Sequence, residues 1–140
     1  MRIVGIDLGK SKSVVCELDS QTGEVSYEKI PTTPVRMREL LQRRRPDQLA
    51  IEIGSQAGWV SDLAESLGLA CEVANTNHET WQWKRTRTKT DRRDALRLAK
   101  LSLLGELPTV PMPSAAVRQK RSLIKYRHQL VQRRTQVKNR

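Results

Sequence analysis

Ile3-Val4-Gly5-Ile6-Asp7-Leu8-Gly9 and Ala50-Ile51-Glu52-Ile53-Gly54 decide the fold. Each is an apolar run of strand length carrying one carboxylate, two residues before a glycine. Runs of this kind read as buried strands, where an unpaired charge is costly unless it binds a cation or shifts its pKa. The glycine admits a ligand close to the backbone, and open α/β sheets bind ligands at the carboxyl ends of their strands. Two acids in the same setting favour a shared site. If the two strands are neighbours, Asp7 and Glu52 can face each other across the sheet.

Outward from Asp7, residues 2–8, 12–19 and 24–30 form three strand-like runs, the last two joined by the turn Gln21-Thr22-Gly23. That pattern predicts a three-stranded antiparallel meander. Thr33 and Pro34 supply an N-cap and a first helical proline. The helix they open runs to about Arg45, with Val35, Met37, Leu40 and Leu41 facing inward, and Pro46-Asp47 end it. Residues 49–53 are the fourth strand, Ser55 caps a helix running to Gly68, and residues 69–74 are the fifth strand. The expectation is an α/β fold with a mixed five-stranded sheet ordered 3-2-1-4-5 and flanked by helices. Cys16 and Cys71 lie in strand-like runs without a CxxC or histidine partner, so they read as reduced core thiols.

Beyond Ala74 the pattern turns polar and basic. Trp81, Trp83, Lys84, Arg85 and Arg87 combine stacking faces with phosphate-binding charge, as in single-strand binders, although one tryptophan anchoring a solvated loop explains them equally well. Thr90 then caps a helix to Leu104 with an apolar face of Ala95, Leu98, Ala99, Leu101 and Leu103, stopped by Gly105. Residues 106–113 hold three prolines and read as a linker. Ser114 opens a last helix with no stop signal, whose apolar pairs Ala116/Val117, Leu123/Ile124 and Leu130/Val131 recur every seven residues. Lys120, Arg127 and Arg134 fill the intervening turns, which suits a coiled-coil-like partner helix, a nucleic-acid clamp or both.

Charge divides along the chain. Residues 1–83 carry 9 Lys+Arg against 12 Asp+Glu, and residues 84–140 carry 17 against 3, within a net charge of +11. A mildly acidic body therefore leads into a strongly basic arm, the footprint of a nucleic-acid partner. A membrane fits less well, since no apolar run approaches the ~18 residues of a spanning helix and the amino terminus lacks a signal-peptide pattern. A cytosolic protein is expected.

Asp91 and Asp94, in Lys89-Thr90-Asp91-Arg92-Arg93-Asp94-Ala95, complete the set of notable acids. One helical turn apart, they share a face with Cβ atoms ~5–6 Å from each other. Three of the acids also have an ordinary explanation: Asp7 can pair with Lys10 or Lys12, Asp91 and Asp94 can complement the helix dipole, and Asp94 can pair with Arg97 or Lys100. Together with Asp7 and Glu52 they supply hard oxygen ligands suited to two Mg²⁺ ions ~3.5–4 Å apart that hold the attacking and leaving oxygens of a phosphodiester. Lys89, Arg92 and Arg93 would lie against nucleic acid in the same run.

This set and order resemble the RNase H-like (RuvC-like) nuclease and recombinase fold. More narrowly, Val4-Gly5-Ile6-Asp7, the Glu52 strand and the Lys-Thr-Asp-x-x-Asp-Ala run resemble the amino-terminal catalytic domain of the Asp-Glu-Asp-Asp insertion-sequence transposases, related to the pilin-gene-inverting recombinase. The resemblance implies that residues 1–105 are the catalytic domain, 106–113 a linker and 114–140 the start of a helical coiled-coil segment. It further implies a carboxyl-terminal domain with an essential serine, expected to be absent from these residues. It implies that Asp7, Glu52, Asp91 and Asp94 hold Mg²⁺, with Mn²⁺ as a substitute, that DNA is the substrate, and that a structured guide RNA takes part in the full-length protein. A nucleoid-associated protein of a bacterium or archaeon, dimeric or higher through residues 114–140, would follow. Two other readings stand beside it: a RuvC-like structure-specific nuclease, and a non-catalytic nucleic-acid-binding or dimerisation fragment. Gly5-Ile6-Asp7-Leu8-Gly9-Lys10 also resembles the phosphate-binding turn of the actin and heat-shock ATPases, but their second lobe and adenosine-binding glycines are missing.

Overall fold

A computed structural model of the chain describes residues 1–76, 78 and 90–139; Trp81, Trp83, Lys84, Arg85, Arg87 and Lys89 lie outside the described residues. The elements are β1 (Arg2–Asp7), β2 (Lys12–Asp19), β3 (Val25–Pro31), α1 (Pro34–Arg44), β4 (Gln48–Glu52), α2 (Ala57–Ser66), β5 (Cys71–Ala74), α3 (Asp91–Leu103) and α4 (Ala115–Lys138). The sheet order is β3-β2-β1-β4-β5, as the sequence predicts. β1 pairs antiparallel with β2 and β2 with β3, while β4 runs parallel to both β1 and β5.

Alternation along the strands gives the sheet two apolar faces. Val4, Ile6, Val15, Leu49, Ile51 and Val73 pack against α1 and α2, the larger core. The opposite face is covered by α3, whose Ala95 meets Val14 and Cys16, whose Leu98 meets Ala50 and Ala74, and whose Ala99 meets Ile3 and Leu18. Small residues dominate that second interface, so the helix lies close. At Gly5 an added Cβ would stand 2.2 Å from the Ala95 carbonyl oxygen and 2.8 Å from the Ala99 nitrogen. Glycine in the middle of β1 is what lets α3 settle there.

Several details differ from the sequence reading. Val35 is 66% exposed, because it lies about half a turn round α1 from buried Met37. The N-cap of α2 is Gln56 with no side-chain cap bond, so Ser55 does not perform that role. β4 stops at Glu52, leaving Ile53 42% exposed, and β5 starts at Cys71. On α3 the buried stripe is Ala95, Leu98 and Ala99, with Leu103 at its exposed edge. Residues 106–113 are laid along β5: the Asn75 amide donates to the Pro108 carbonyl at 2.7 Å and the Val110 amide to the Val73 carbonyl at 2.9 Å, and Leu107 is buried. The sheet edge is thereby covered.

α4 buries none of its residues in the single chain. It is fastened at its base by Arg118, which donates to the Pro113 carbonyl at 2.5 Å and to the Asp62 carboxylate of α2. Arg118 fits because residue 58 is glycine: a Cβ there would lie 2.8 Å from Nε. No helix among the described residues is long and apolar enough to cross a membrane.

Candidate active site

The β1–β4 register pairs Ile6 with Ile51, so Asp7 and Glu52 stand one step further on, at the carboxyl ends of adjacent parallel strands. Asp7 alternates with Gly5 and Glu52 with Ala50, which places both on the face covered by α3. The direction of α3 completes the arrangement. Ala95 sits over Gly5 and Ala99 over Ile3, so α3 runs antiparallel to β1 and its first turn lies toward the end where β1 finishes. Asp91 and Asp94 are in that turn, which Thr90 caps by accepting from the Arg93 amide. All four acids predicted from the sequence are therefore at one end of one sheet face.

Their environment is more open than the sequence suggests. Asp7, Glu52 and Asp94 are half-buried and Asp91 is exposed, because the strand acids terminate their strands instead of sitting inside them. The desolvation cost argued for a fully buried carboxylate is correspondingly smaller. Asp7 and Asp94 each have interaction partners. Among the described residues no three His, Cys, Asp or Glu side chains are gathered within reach of one ion. The donor chemistry, four carboxylates at one end of a sheet face, suits a hard divalent cation.

The predicted nucleic-acid contacts are divided. Arg92 and Arg93 share the first turn of α3 with the acids, and the Arg92 guanidinium lies 5.6 Å from the Tyr27 ring centroid. Lys120, Arg127 and Arg134 are exposed on α4, seven residues apart and so on one side of the helix. The thiols take no part: burial pushes Cys16 and Cys71 up to about 11, and both are free. Ser13 is buried with its hydroxyl 2.7 Å from that of Thr32, a structural hydrogen bond. The sequence reading missed Gly5, Tyr27 and Arg118. Gly5 alone had a local signal, a glycine interrupting a strand.

A family model described as a transposase, of the DEDD type of IS110, matches residues 4–140. No curated protein matches the chain. Among solved structures, RuvC of Thermus thermophilus is similar at 18% identity and a TM-score of 0.51, over 79% of this chain and 100% of that one. The Fowlpox virus resolvase in complex with Holliday junction DNA is similar at 15% identity over 74% of each chain, with a TM-score of 0.42. The RuvC likeness bears on the fold, which is RNase H-like. With the family model matching nearly its whole length, the chain belongs to the DEDD transposase family.

Proposed function

We propose that Asp7, Glu52, Asp91 and Asp94 are the metal-binding catalytic set of this transposase domain, that the ion is Mg²⁺ or Mn²⁺, and that the reacting group is a DNA phosphodiester. The observation that carries the reading is the adjacency of Asp7 and Glu52 at one register step on the face that α3 covers with Asp91 and Asp94 in its first turn. Divalent cations bound there would polarise the phosphoryl group and lower the barrier to in-line displacement. The chain's own part is to hold four hard oxygen donors on rigid elements, β1, β4 and α3. Arg92, Arg93 and the basic segment Trp81, Trp83, Lys84, Arg85, Arg87 and Lys89 bind the nucleic-acid backbone beside the acids, and Lys120, Arg127 and Arg134 extend that contact along α4. A serine from a further domain serves as nucleophile in the full-length recombinase, a structured guide RNA joins the DNA there, and pairs of chains associate through α4.

Calorimetric titration of Mg²⁺ and Mn²⁺ into the chain and into Asp7→Ala and Glu52→Ala tests the central part. Saturable binding lost in both variants is expected, together with a stabilisation of about 2.7 kcal/mol at a hundredfold excess of metal over its Kd. Binding that survives both substitutions rejects the assignment. Metal-dependent nicking of branched DNA then separates the enzyme from a non-catalytic binding fragment.

A further inference from the structure

Beside Asp91 a cavity of about 300 Å³ opens between β3 and α3, walled by Val14, Tyr27, Lys29, Thr90, Asp91 and Arg92. The β2–β3 register sets Tyr27 opposite Cys16 and Lys29 opposite Val14. Cys16 and Val14 pack on Ala95, so Tyr27 and Lys29 project from the same sheet face as Asp7 and Glu52. The Tyr27 ring stands beside the buried Cys16 of the neighbouring strand. Arg92 stacks over that ring at 5.6 Å, within cation–π range. A cation–π contact uses the charge of the guanidinium and consumes none of its N–H donors, which stay available to an anion.

Charge then selects the ligand. Among the described residues neither Arg92 nor Lys29 forms an ion pair. Glu28, which also borders the cavity, is committed to Arg43 at 2.6 Å and Arg44 at 2.9 Å. Two cations without an ion-pair partner among the described residues, against the one carboxylate of Asp91, therefore border a concave space at the small end of the ligand-pocket range of about 300–1,000 Å³. That space admits a single phosphate with part of its sugar. A duplex backbone is too broad and rigid to enter, whereas a single strand can turn one phosphate inward.

We propose that this cavity is a clasp for one phosphodiester of a single nucleic-acid strand, gripped between Arg92 and Lys29 beside Asp91 of the carboxylate set, with the Tyr27 ring holding the Arg92 guanidinium. The clasp positions the strand for the acids, and in that respect it rests on the catalytic reading given above. Asp91 borders the same space, so its charge opposes the phosphate in the metal-free chain.

Fluorescence anisotropy with a labelled single-stranded oligonucleotide across a salt series tests it on the full 140-residue chain. Lys29→Ala and Arg92→Ala should each weaken binding about three- to tenfold, and the double variant should flatten the slope of log affinity against log salt by about 0.7, one single-strand phosphate. Tyr27→Leu should match Arg92→Ala, while Tyr27→Phe, which keeps the ring, should bind as the parent does. Asp91→Asn should tighten metal-free binding. Affinity and slope unchanged in the double variant overturn the clasp, as does an equal loss for duplex DNA. Inorganic phosphate should displace the strand beyond chloride of equal ionic strength from the parent and not from the double variant; equal phosphate displacement from both overturns the clasp. Thermal melts confirm that each variant is folded. Mg²⁺ calorimetry keeps the two readings apart: metal binding lost in Asp7→Ala but kept in the Lys29 and Arg92 variants supports both. Clasp effects with metal binding that survives Asp7→Ala reject the carboxylate assignment alone.

Discussion

Gly5 has the most to lose from a single methyl group. A Cβ there meets backbone atoms of Ala95 and Ala99, which cannot rotate away as a side chain would, so α3 must move as a body. Gly5→Ala should cost about 1–3 kcal/mol, the usual range for overpacking, seen as a lower urea midpoint with unchanged m-value. The same shift carries Asp91 and Asp94 away from Asp7 and Glu52, so metal affinity measured by calorimetry should fall with it. Gly54→Ala is the control, because nothing lies within 4 Å of the added Cβ. At Glu28 the Arg43 and then the Arg44 guanidinium hold the carboxyl below its ordinary value. A depressed carboxylate contributes stability above its unfolded pKa of about 4.3, and that contribution is lost as pH falls through the lower folded value. Glu28→Gln should therefore cost at most about 1 kcal/mol at pH 7, since the pair is partly exposed. Between about pH 5 and 3 the variant should lose stability less steeply than the parent, as read from urea midpoints across that range.

Among the elements, α3 connects sequence to site most directly. Its cap, Thr90, its first-turn acids and its apolar stripe Ala95, Leu98 and Ala99 are all local features, yet the helix matters through what it covers. Thr90→Ala removes the bond to the Arg93 amide and should cost about 1 kcal/mol. The loss should concentrate in the first turn, so amide hydrogen exchange at residues 92–94 should accelerate well before that of Leu98 and Ala99. Equal acceleration along the whole helix would show that Thr90 acts on global stability instead.

For the whole molecule, the question is what α4 does with 24 residues and no buried side chain. Leu123, Ile124, Leu130 and Val131 are exposed at 68%, 69%, 46% and 41%, and a helix fastened only at its base is marginal in water. The expected outcome is self-association through this helix, seen as a concentration-dependent mass by light scattering. Deleting residues 114–140 should give a folded monomer and flatten the salt dependence of duplex binding by about 0.9 for each phosphate that the helix neutralises. A strict monomer at high concentration, or an unchanged slope, would count against that assignment.

Strand order, helix caps at Thr33, Thr90 and Ser114, and the adjacency of Asp7 and Glu52 were legible in the chain itself, because apolar runs, turn residues and caps act over a few neighbouring positions. The basic arm was legible for the same reason, as a run of charge. Tertiary structure decided the rest. It turned Val35 outward and ended β4 at Glu52, since periodicity alone does not say where a packed stripe stops. It set the depth and direction of α3, which rest on one glycine lying under Ala95. Arg92 over Tyr27 and Arg118 on Asp62 join residues 65 and 56 positions apart, contacts that exist only once the sheet has brought distant segments together.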